Sequence, residues 1–208
     1  MFSSFVTNNF PFSSLPQLWN LVRTSPYPIK LVWIGLDNAG KSSLIKRLKT
    51  GEFYEGSMPR TMGLSVDKLF YESDSNFEII SWDLGGQIYF RENLWADYLK
   101  GASAILYVLD RSDTNEKRLL EAKNELWKYV LSAKNKVRNV PLLILANKTD
   151  RKAKIDLKEL KELLELDKAK NINLEVFQVS ALSGLNLDKA FSWLVNQLLS
   201  HRKGKKKD

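Results

Sequence analysis

Two patterns of apolar and polar residues alternate along the chain. Short apolar runs favour buried strands, and segments with an apolar residue every three or four positions favour helices with one buried face. The runs predict strands at residues 29–34, 64–72, 77–83, 104–110, 141–147 and 174–180. The second pattern predicts helices at residues 41–49, 90–100, 114–134, 156–166 and 186–200.

The order of these segments predicts the class of fold. Ser73-Asp74-Ser75-Asn76 reads as a turn that joins the second and third strands into a hairpin. The other strands alternate with helices, which is typical of parallel strands. We therefore expect an α/β fold with a mostly parallel sheet, one antiparallel strand and helices on both faces. Ligands of such folds bind at the carboxyl ends of the strands.

A glycine-rich stretch separates the first predicted strand from the first helix. It reads Gly35-Leu36-Asp37-Asn38-Ala39-Gly40-Lys41-Ser42 and fits the pattern G-x-x-x-x-G-K-[ST]. Its glycines let the backbone approach a ligand, and the helix start points unpaired N–H groups at it. These features suit a polyphosphate, with Lys41 on the outer phosphates and the Ser42 hydroxyl on Mg²⁺. The alternative is a turn that merely joins strand to helix.

The third predicted strand ends in WDLGGQ. Asp83 closes this strand and can hold Mg²⁺ through a water molecule. Gly86 can bring its N–H to a terminal phosphate, and Gln87 is placed to orient an attacking water. Taken alone, an aspartate followed by two glycines is also an ordinary turn signal.

The last two predicted strands end in NKTD and SALSG. Asp150 can accept hydrogen bonds from the ring N–H and the amine of guanine, which adenine lacks. Asn147 would tie this loop to the phosphate loop, the stem of Lys148 would cover the base, and the N–H of Ala181 could meet the guanine carbonyl. Four such motifs at four strand ends predict a guanine-nucleotide site.

These motifs together resemble the Arf, Arf-like and Sar family of small GTPases. The resemblance covers about residues 28–200 and includes the second switch helix and following strand, NLWADYLKGASAILYVLD. Gly-Leu-Asp at the head of the phosphate loop and the doubled glycine before Gln87 distinguish this family from Ras-type relatives. The resemblance implies a six-stranded P-loop G domain that binds GTP with Mg²⁺, hydrolyses it slowly and acts as a molecular switch.

The resemblance also assigns roles to residues. Thr61 matches the switch threonine, which binds Mg²⁺ while the third phosphate is present, together with Ser42 and, through water, Asp83. The implied catalytic residues are Lys41, Gly86 and Gln87. The implied nucleotide-binding residues are Asp37, Asn38, Ala39, Gly40, Lys41, Ser42, Ser43, Thr61, Gly86, Asn147, Lys148, Asp150, Ser180, Ala181 and Leu182.

Leu64, Trp82 and Tyr98 match an apolar patch between the family's switches, where exchange factors, GTPase-activating proteins and effectors bind. Three positions depart from the family. Leu64 replaces a common phenylalanine, Phe2 removes the myristoylation signal, and Arg60 stands before Thr61 where proline is usual. An arginine finger within the chain is conceivable, although heterotrimeric G-protein α subunits place theirs at another spacing.

The termini differ from the body of the chain. We expect an aromatic arm at residues 1–28, a G domain at residues 29–200 and a basic tail at residues 201–208. The arm has two sets of apolar residues at helical spacing, separated by Pro11: Phe2, Phe5 and Val6, then Leu15, Leu18, Trp19 and Val22. Residues 2–22 can insert into a membrane interface, pack permanently on the G domain or fill a groove of a partner protein.

Composition narrows the choice of partners. The net charge of +8 lies largely at the ends, because the tail holds five Lys or Arg against one Asp. The body is close to neutral, which argues against an RNA-associated GTPase, and we expect no nucleic-acid partner. The tail can attract anionic lipid or stay solvated.

The chain has no cysteine and no apolar run long enough to span a bilayer. Its first residues lack a basic start followed by a continuous apolar stretch, so we expect no secretory signal. We expect a cytoplasmic monomer that attaches reversibly to membranes and acts in membrane recruitment or vesicle trafficking. The alternative is a GTP-bound scaffold that stays docked to a protein partner with little hydrolysis.

Overall fold

The structure is a computed structural model that describes residues 28–52, 59–72, 77–132, 140–152 and 155–205. The aromatic arm, the predicted turn at residues 73–76 and the end of the basic tail lie outside the described residues.

Within these described ranges, six strands and five helices follow the predicted order. The strands are β1 (Ile29–Ile34), β2 (Leu64–Glu72), β3 (Phe77–Leu84), β4 (Ala104–Asp110), β5 (Leu142–Asn147) and β6 (Leu174–Gln178). The helices are α1 (Lys41–Thr50), α2 (Ile88–Tyr98), α3 (Glu116–Leu126), α4 (Leu157–Leu163) and α5 (Leu187–Lys205). A π-helical turn at Trp127–Leu131 extends α3, and a short 3₁₀ turn at Leu166–Lys168 follows α4.

All six strands form one sheet in the order β2-β3-β1-β4-β5-β6. The β2–β3 pair is antiparallel, and the other four pairs are parallel. The predicted fold class is therefore confirmed.

Helices cover both faces of the sheet because successive strand residues point to opposite sides. On one face, α1 and α5 pack on a core that includes Leu31, Trp33, Leu44, Leu106 and Leu194. On the other face, α2, α3 and α4 pack on a core that includes Val32, Ile34, Trp95, Leu126 and Leu160. This double burial explains why β1, β4 and β5 are apolar at nearly every position.

Several helix boundaries differ from the prediction. Helix α4 ends at Leu163 rather than residue 166, and α5 extends to Lys205 rather than residue 200. Helix α2 begins at Ile88 rather than near residue 90, because Gln87 is extended and serves as its N-cap residue. The helix predicted at residues 114–134 is regular only as far as Leu126. A π-helical turn follows at Trp127–Leu131, and its Val130 and Leu131 are buried.

The carboxyl ends of the parallel strands meet along one edge of the sheet and carry the candidate motifs. Strand β1 ends at Ile34, before the phosphate loop, and β3 ends at Leu84, one residue after Asp83. Strand β5 ends at Asn147, and β6 ends at Gln178. In the described part of the chain, no helix has the length and apolar character needed to cross a bilayer.

Candidate functional site

The phosphate loop holds Lys41 in a fixed position. The Lys41 ammonium donates to the carbonyl oxygens of Gly35 and Leu36, at 2.9 and 3.0 Å, and the residue is only 5% exposed. An ammonium group has three N–H donors. One donor therefore remains for a ligand in the loop.

Burial in the loop also changes the pKa of this lysine. Burial lowers the pKa of Lys41 to about 8, although the carboxylates of Asp83 and Asp37 raise it. A bound polyphosphate would bring negative charge to the ammonium and favour its protonated form. The residue is thus suited to an anionic ligand.

Three predicted metal ligands lie together beside Lys41. The Ser42 hydroxyl donates to Asp83 Oδ2 at 2.5 Å, and Thr61 Oγ1 donates to the same oxygen at 3.2 Å. Ser42 Oγ and Thr61 Oγ1 are themselves 2.9 Å apart. The sequence separates these residues by up to 41 positions, and the fold brings their oxygens into one cluster.

This cluster fits a hard cation such as Mg²⁺. All its donors are oxygens, the ligand type that Mg²⁺ prefers. Asp83 Oδ1 is buried with no hydrogen-bond partner among the described residues, and burial raises the pKa of Asp83. A cation would offset both costs. The described residues contain no group of three or more His, Cys, Asp or Glu side chains that could hold a metal without a phosphate.

Gly86 packs directly against the phosphate loop. The N–H of Asp37 donates to the Gly86 carbonyl at 3.2 Å. A Cβ atom at Gly86 would lie 2.2 Å from the Asp37 nitrogen, so glycine alone fits here. Gln87 follows as the N-cap of α2, and its Nε2 lies 3.9 Å from the sulfur of Met62.

These elements enclose a cavity of about 300 Å³. It brings together the phosphate loop, the segment around Thr61 and the start of α2. Of the predicted site residues, the cavity is lined by Asp37, Asn38, Gly40, Lys41, Ser42, Ser43, Thr61, Gly86 and Gln87. Arg60 lines it as well.

Asn147 joins the phosphate loop to the loops at the ends of β5 and β6. Its Nδ2 donates to the Ala39 carbonyl at 2.9 Å, as the sequence predicts, and its Oδ1 accepts from the Ala181 N–H at 3.1 Å. A Cβ atom at Gly40 would lie 2.3 Å from Asn147 Nδ2. A guanine carbonyl would therefore share the Ala181 N–H with Asn147.

The remaining base-side residues are also ordered by hydrogen bonds and ion pairs. The Ser180 hydroxyl donates to Asp150 Oδ1 at 2.5 Å, and the carboxylate is otherwise open to solvent. Lys148 pairs with Asp110 at 2.7 Å and has a left-handed backbone with φ of 64°. Leu182, also a predicted site residue, is 49% exposed beside them.

The comparisons with known proteins agree with this geometry. A family model described as the ADP-ribosylation factor family matches residues 17–198. The chain belongs to this family.

Relatives and a solved structure support the same assignment. The chain is 35% identical over 170 residues to the ADP-ribosylation factor-like protein alp41 of Schizosaccharomyces pombe, covering 82% of this chain and 86% of that protein. It is 34% identical over 174 residues to ADP-ribosylation factor-like protein 1 of Drosophila melanogaster, covering 84% and 91%. The Arl6 small GTPase of Trypanosoma brucei, solved with the nucleotide analogue GppNp, matches with a TM-score of 0.70 and 27% identity over 84% of this chain and 99% of that one.

Membership of the ADP-ribosylation factor family carries the general properties of that family. Its members bind guanine nucleotides, hydrolyse GTP and act as switches to which regulators and effectors bind. The P-loop G domain predicted from the motifs is confirmed.

One site residue of this family member was missed by sequence reasoning. Arg118 donates from Nη2 to the Asp37 carbonyl at 2.8 Å and lies 3.3 Å from Asp37 Oδ1. Its Nε donates to Asp113 at 3.0 Å. The available signal was Asp37 itself, because a carboxylate in an anion-binding loop needs a nearby cation.

The three residues of the implied apolar patch pack on one core. The rings of Trp82 and Tyr98 lie 5.5 Å apart, and Leu64 packs on the same core. Lys30 places its ammonium 4.5 Å above the Trp82 ring and donates to the Lys100 carbonyl. A cation therefore covers part of the patch, which the sequence pattern did not predict.

Proposed function

We propose that this protein is an Arf-type GTPase switch that binds GTP with Mg²⁺, hydrolyses it slowly and controls membrane recruitment or vesicle trafficking. One observation carries the nucleotide part of the proposal. The oxygens of Ser42, Thr61 and Asp83 form one cluster. Ser42 and Thr61 line the same cavity as Lys41 and Gln87.

The phosphates would bind along the phosphate loop. Lys41 would contact the outer phosphates with its remaining N–H, and the backbone N–H groups at the start of α1 would bind the inner ones. Ser42 and Thr61 would hold Mg²⁺ directly, and Asp83 would hold it through water. The ion neutralises phosphate charge when it is bound.

Guanine would bind at the ends of β5 and β6. The exposed carboxylate of Asp150 accepts from the base while Ser180 fixes its orientation. Asn147 holds the two base loops and the phosphate loop in register. The Lys148 stem and Leu182 would flank the base. This arrangement supports guanine rather than adenine, because adenine would leave Asp150 unpaired.

Hydrolysis would depend on the segment after β3. Gln87 would orient the attacking water, and the Gly86 N–H would bind the terminal phosphate. G domains without a partner's arginine turn over at about 10⁻⁴ to 10⁻² s⁻¹. Loss of the third phosphate would release Thr61 and Gly86. The effector-binding surface formed by Leu64, Trp82 and Tyr98 would then change its conformation.

The membrane part rests on residues 2–22, which lie outside the described residues. Their rings and aliphatic side chains at helical spacing suit insertion into a membrane interface. The lysine-rich tail adds attraction to anionic lipid. We infer a cytoplasmic monomer that attaches to membranes when it carries GTP.

Single-turnover hydrolysis of GTP tests the enzyme part. We expect slow release of phosphate by the natural chain, and at least about tenfold slower release by Gln87→Leu with nearly unchanged GTP affinity. Equal rates in both proteins would remove Gln87 from the mechanism. A chain that retains GTP without hydrolysis would favour the scaffold alternative.

Flotation with liposomes tests the membrane part. We expect the full chain to float with liposomes of mixed neutral and anionic lipid when loaded with GppNp and to stay behind when loaded with GDP. Replacing Phe5 and Trp19 together by serine should abolish flotation. Leu120→Ser, at a half-exposed position on α3, is the matched control. Equal flotation of the GDP-loaded and GppNp-loaded protein would contradict a membrane anchor that depends on the bound nucleotide.

A further inference from the structure

Arg60 is an exposed cation that lines the phosphate cavity. It lines the same cavity as Lys41, Gly86 and Gln87. It also directly precedes Thr61, whose hydroxyl lies in the oxygen cluster with Asp83. Arg60 therefore belongs to the segment that lines the cavity beside the phosphate loop, and it is one of the three positions that depart from the family pattern.

The partner that Arg60 has in this structure holds it weakly. Within the described residues, its ion pair is with Asp37, with Nη1 3.8 Å from Oδ2, and its side chain is 70% exposed. Solvent screens such a pair strongly, so it contributes little. The Arg60 guanidinium is accordingly available to a stronger anion.

Asp37 does not depend on Arg60 for charge balance. Arg118 pairs with Asp37 Oδ1 at 3.3 Å and also binds the Asp37 carbonyl at 2.8 Å. Asp113 fixes the Arg118 guanidinium from its other side. Arg60 can therefore move away from Asp37 without leaving the Asp37 carboxylate unpaired in the phosphate loop.

The position of Asp37 shows which end of the cavity Arg60 reaches. The Asp37 N–H donates to the Gly86 carbonyl, so Asp37 and Gly86 lie side by side. Gly86 and Gln87 form the end where the terminal phosphate would bind under the proposed function. Asn147, by contrast, contacts the loop at Ala39, on the base side.

We propose that Arg60 binds the terminal phosphate of GTP and supplies, from within the chain, positive charge that stabilises its transfer to water. The inference rests on the proposed function. In the reaction, the water oxygen bonds to the terminal phosphorus and the bond from that phosphorus to the bridging oxygen of GDP breaks. The proton of the water passes to the released phosphate, and the electron pair of the broken bond stays on GDP. Arg60 transfers no proton; it offsets charge on the phosphoryl oxygens.

The binding test compares GDP with GppNp on the full chain in the presence of Mg²⁺. Displacement of fluorescently labelled GDP gives the affinity of each nucleotide for the natural chain, Arg60→Ala and Arg60→Lys. We expect Arg60→Ala to weaken GppNp about tenfold and GDP less than about twofold, because only GppNp carries the terminal phosphate. Arg60→Lys should lie between, because a lysine keeps the charge but loses the planar fork.

Single-turnover hydrolysis is the second readout. Arg60→Ala should slow the reaction by about tenfold or more. Lys158→Ala is the control, because it removes one positive charge from an exposed position on α4, where Lys158 pairs with Glu162. It should change neither the affinities nor the rate. Thermal unfolding of all variants in GDP checks that the fold is kept.

Three results would overturn the inference. If Arg60→Ala bound GDP and GppNp with equally reduced affinity, Arg60 would stabilise Asp37 rather than bind the terminal phosphate. Unchanged affinities would exclude contact with the terminal phosphate, and an unchanged rate would exclude a role in its transfer. If the natural chain bound no guanine nucleotide, the proposed function itself would be refuted. If the natural chain and Arg60→Ala bound and hydrolysed GTP equally well, only the role of Arg60 would be refuted.

Discussion

The nucleotide site has two sides that are built differently. The frame, which we define as residues 35–43, 147–150 and 180–184, is held by short hydrogen bonds. The switch segments, defined as residues 59–63 and 85–90, present large exposed side chains. In the frame, Lys41 is 5% exposed and bound to two carbonyls. In the switch segments, Met62 is 73% exposed, and its sulfur lies 3.9 Å from Gln87 Nε2.

This difference separates binding from switching. The frame is ready for the base and for phosphates common to GDP and GTP, so it gains little from rearranging. The switch segments contact the frame at Thr61 and Gly86 and otherwise expose large side chains, so a terminal phosphate can rearrange them at low cost. Changes in the frame should therefore affect both nucleotides, and changes in the switch segments should affect GTP alone.

The largest expected effect is at Lys41, in the frame. Lys41→Ala should weaken GDP and GTP together by about 2–5 kcal/mol, because it removes a buried charge that pairs with phosphate. Displacement of fluorescently labelled GDP measures both affinities. Lys49→Ala, on the same helix but 39% exposed at its side chain, is the control and should bind both nucleotides normally. If Lys41→Ala lost GTP binding but kept GDP binding, Lys41 would act as part of the switch segments and the division into frame and switch segments would be wrong.

Asp150 tests the base end of the frame. Asp150→Asn should reverse the preference from guanine toward xanthine by about 1–3 kcal/mol, because an amide N–H meets the xanthine carbonyl where the carboxylate accepted from guanine. Competition between GDP and xanthosine diphosphate measures the shift. Asp167→Asn, at an exposed position, should leave the preference unchanged. An unaltered guanine preference in Asp150→Asn would mean that the base binds elsewhere.

Thr61 tests the switch segments at the metal cluster. Thr61→Ala should weaken GppNp by about 1–2 kcal/mol more than GDP, because its hydroxyl would bind Mg²⁺ only beside a third phosphate. Removing Mg²⁺ with a chelator should erase that difference between the variant and the natural chain. If Thr61→Ala weakened both nucleotides equally, Thr61 would belong to the frame.

The smallest expected effect is at Tyr89, on the exposed face of α2. Tyr89 is 68% exposed, so Tyr89→Ala should change the free energy of unfolding by less than about 0.5 kcal/mol. Trp95 lies six residues further on the same helix and is fully buried, and Trp95→Ala should cost about 3–5 kcal/mol. Urea unfolding of the two variants measures the contrast. A large loss in Tyr89→Ala would mean that this face stabilises the fold and is not reserved for partners.

Sequence reasoning predicted most of the frame and less of the rest. The strands were located to within a few residues because apolar runs end at glycine and polar motifs, as at Ile34 and Asn147. The motifs also predicted that Asn147 binds the phosphate loop, since both lie at carboxyl ends of strands in one sheet. Such features are local or follow from the order of the strands.

Contacts between distant side chains were not predictable in the same way. Arg118 and Asp37 are 81 residues apart, and no periodicity links them. Arg91, to which no sequence motif points, is buried and pairs with Glu121 and Glu125 across α2 and α3. These pairs depend on how the helices pack on the sheet, which a single sequence specifies only through the whole fold.

Hydrogen exchange measured by mass spectrometry tests the division into frame and switch segments most directly. The full chain would be compared in complex with Mg²⁺–GDP and with Mg²⁺–GppNp. The account predicts slower amide exchange with GppNp in peptides covering residues 59–63 and 85–90, and unchanged exchange in peptides covering residues 35–43 and 147–150. Equal protection throughout, or changes confined to the frame, would contradict it.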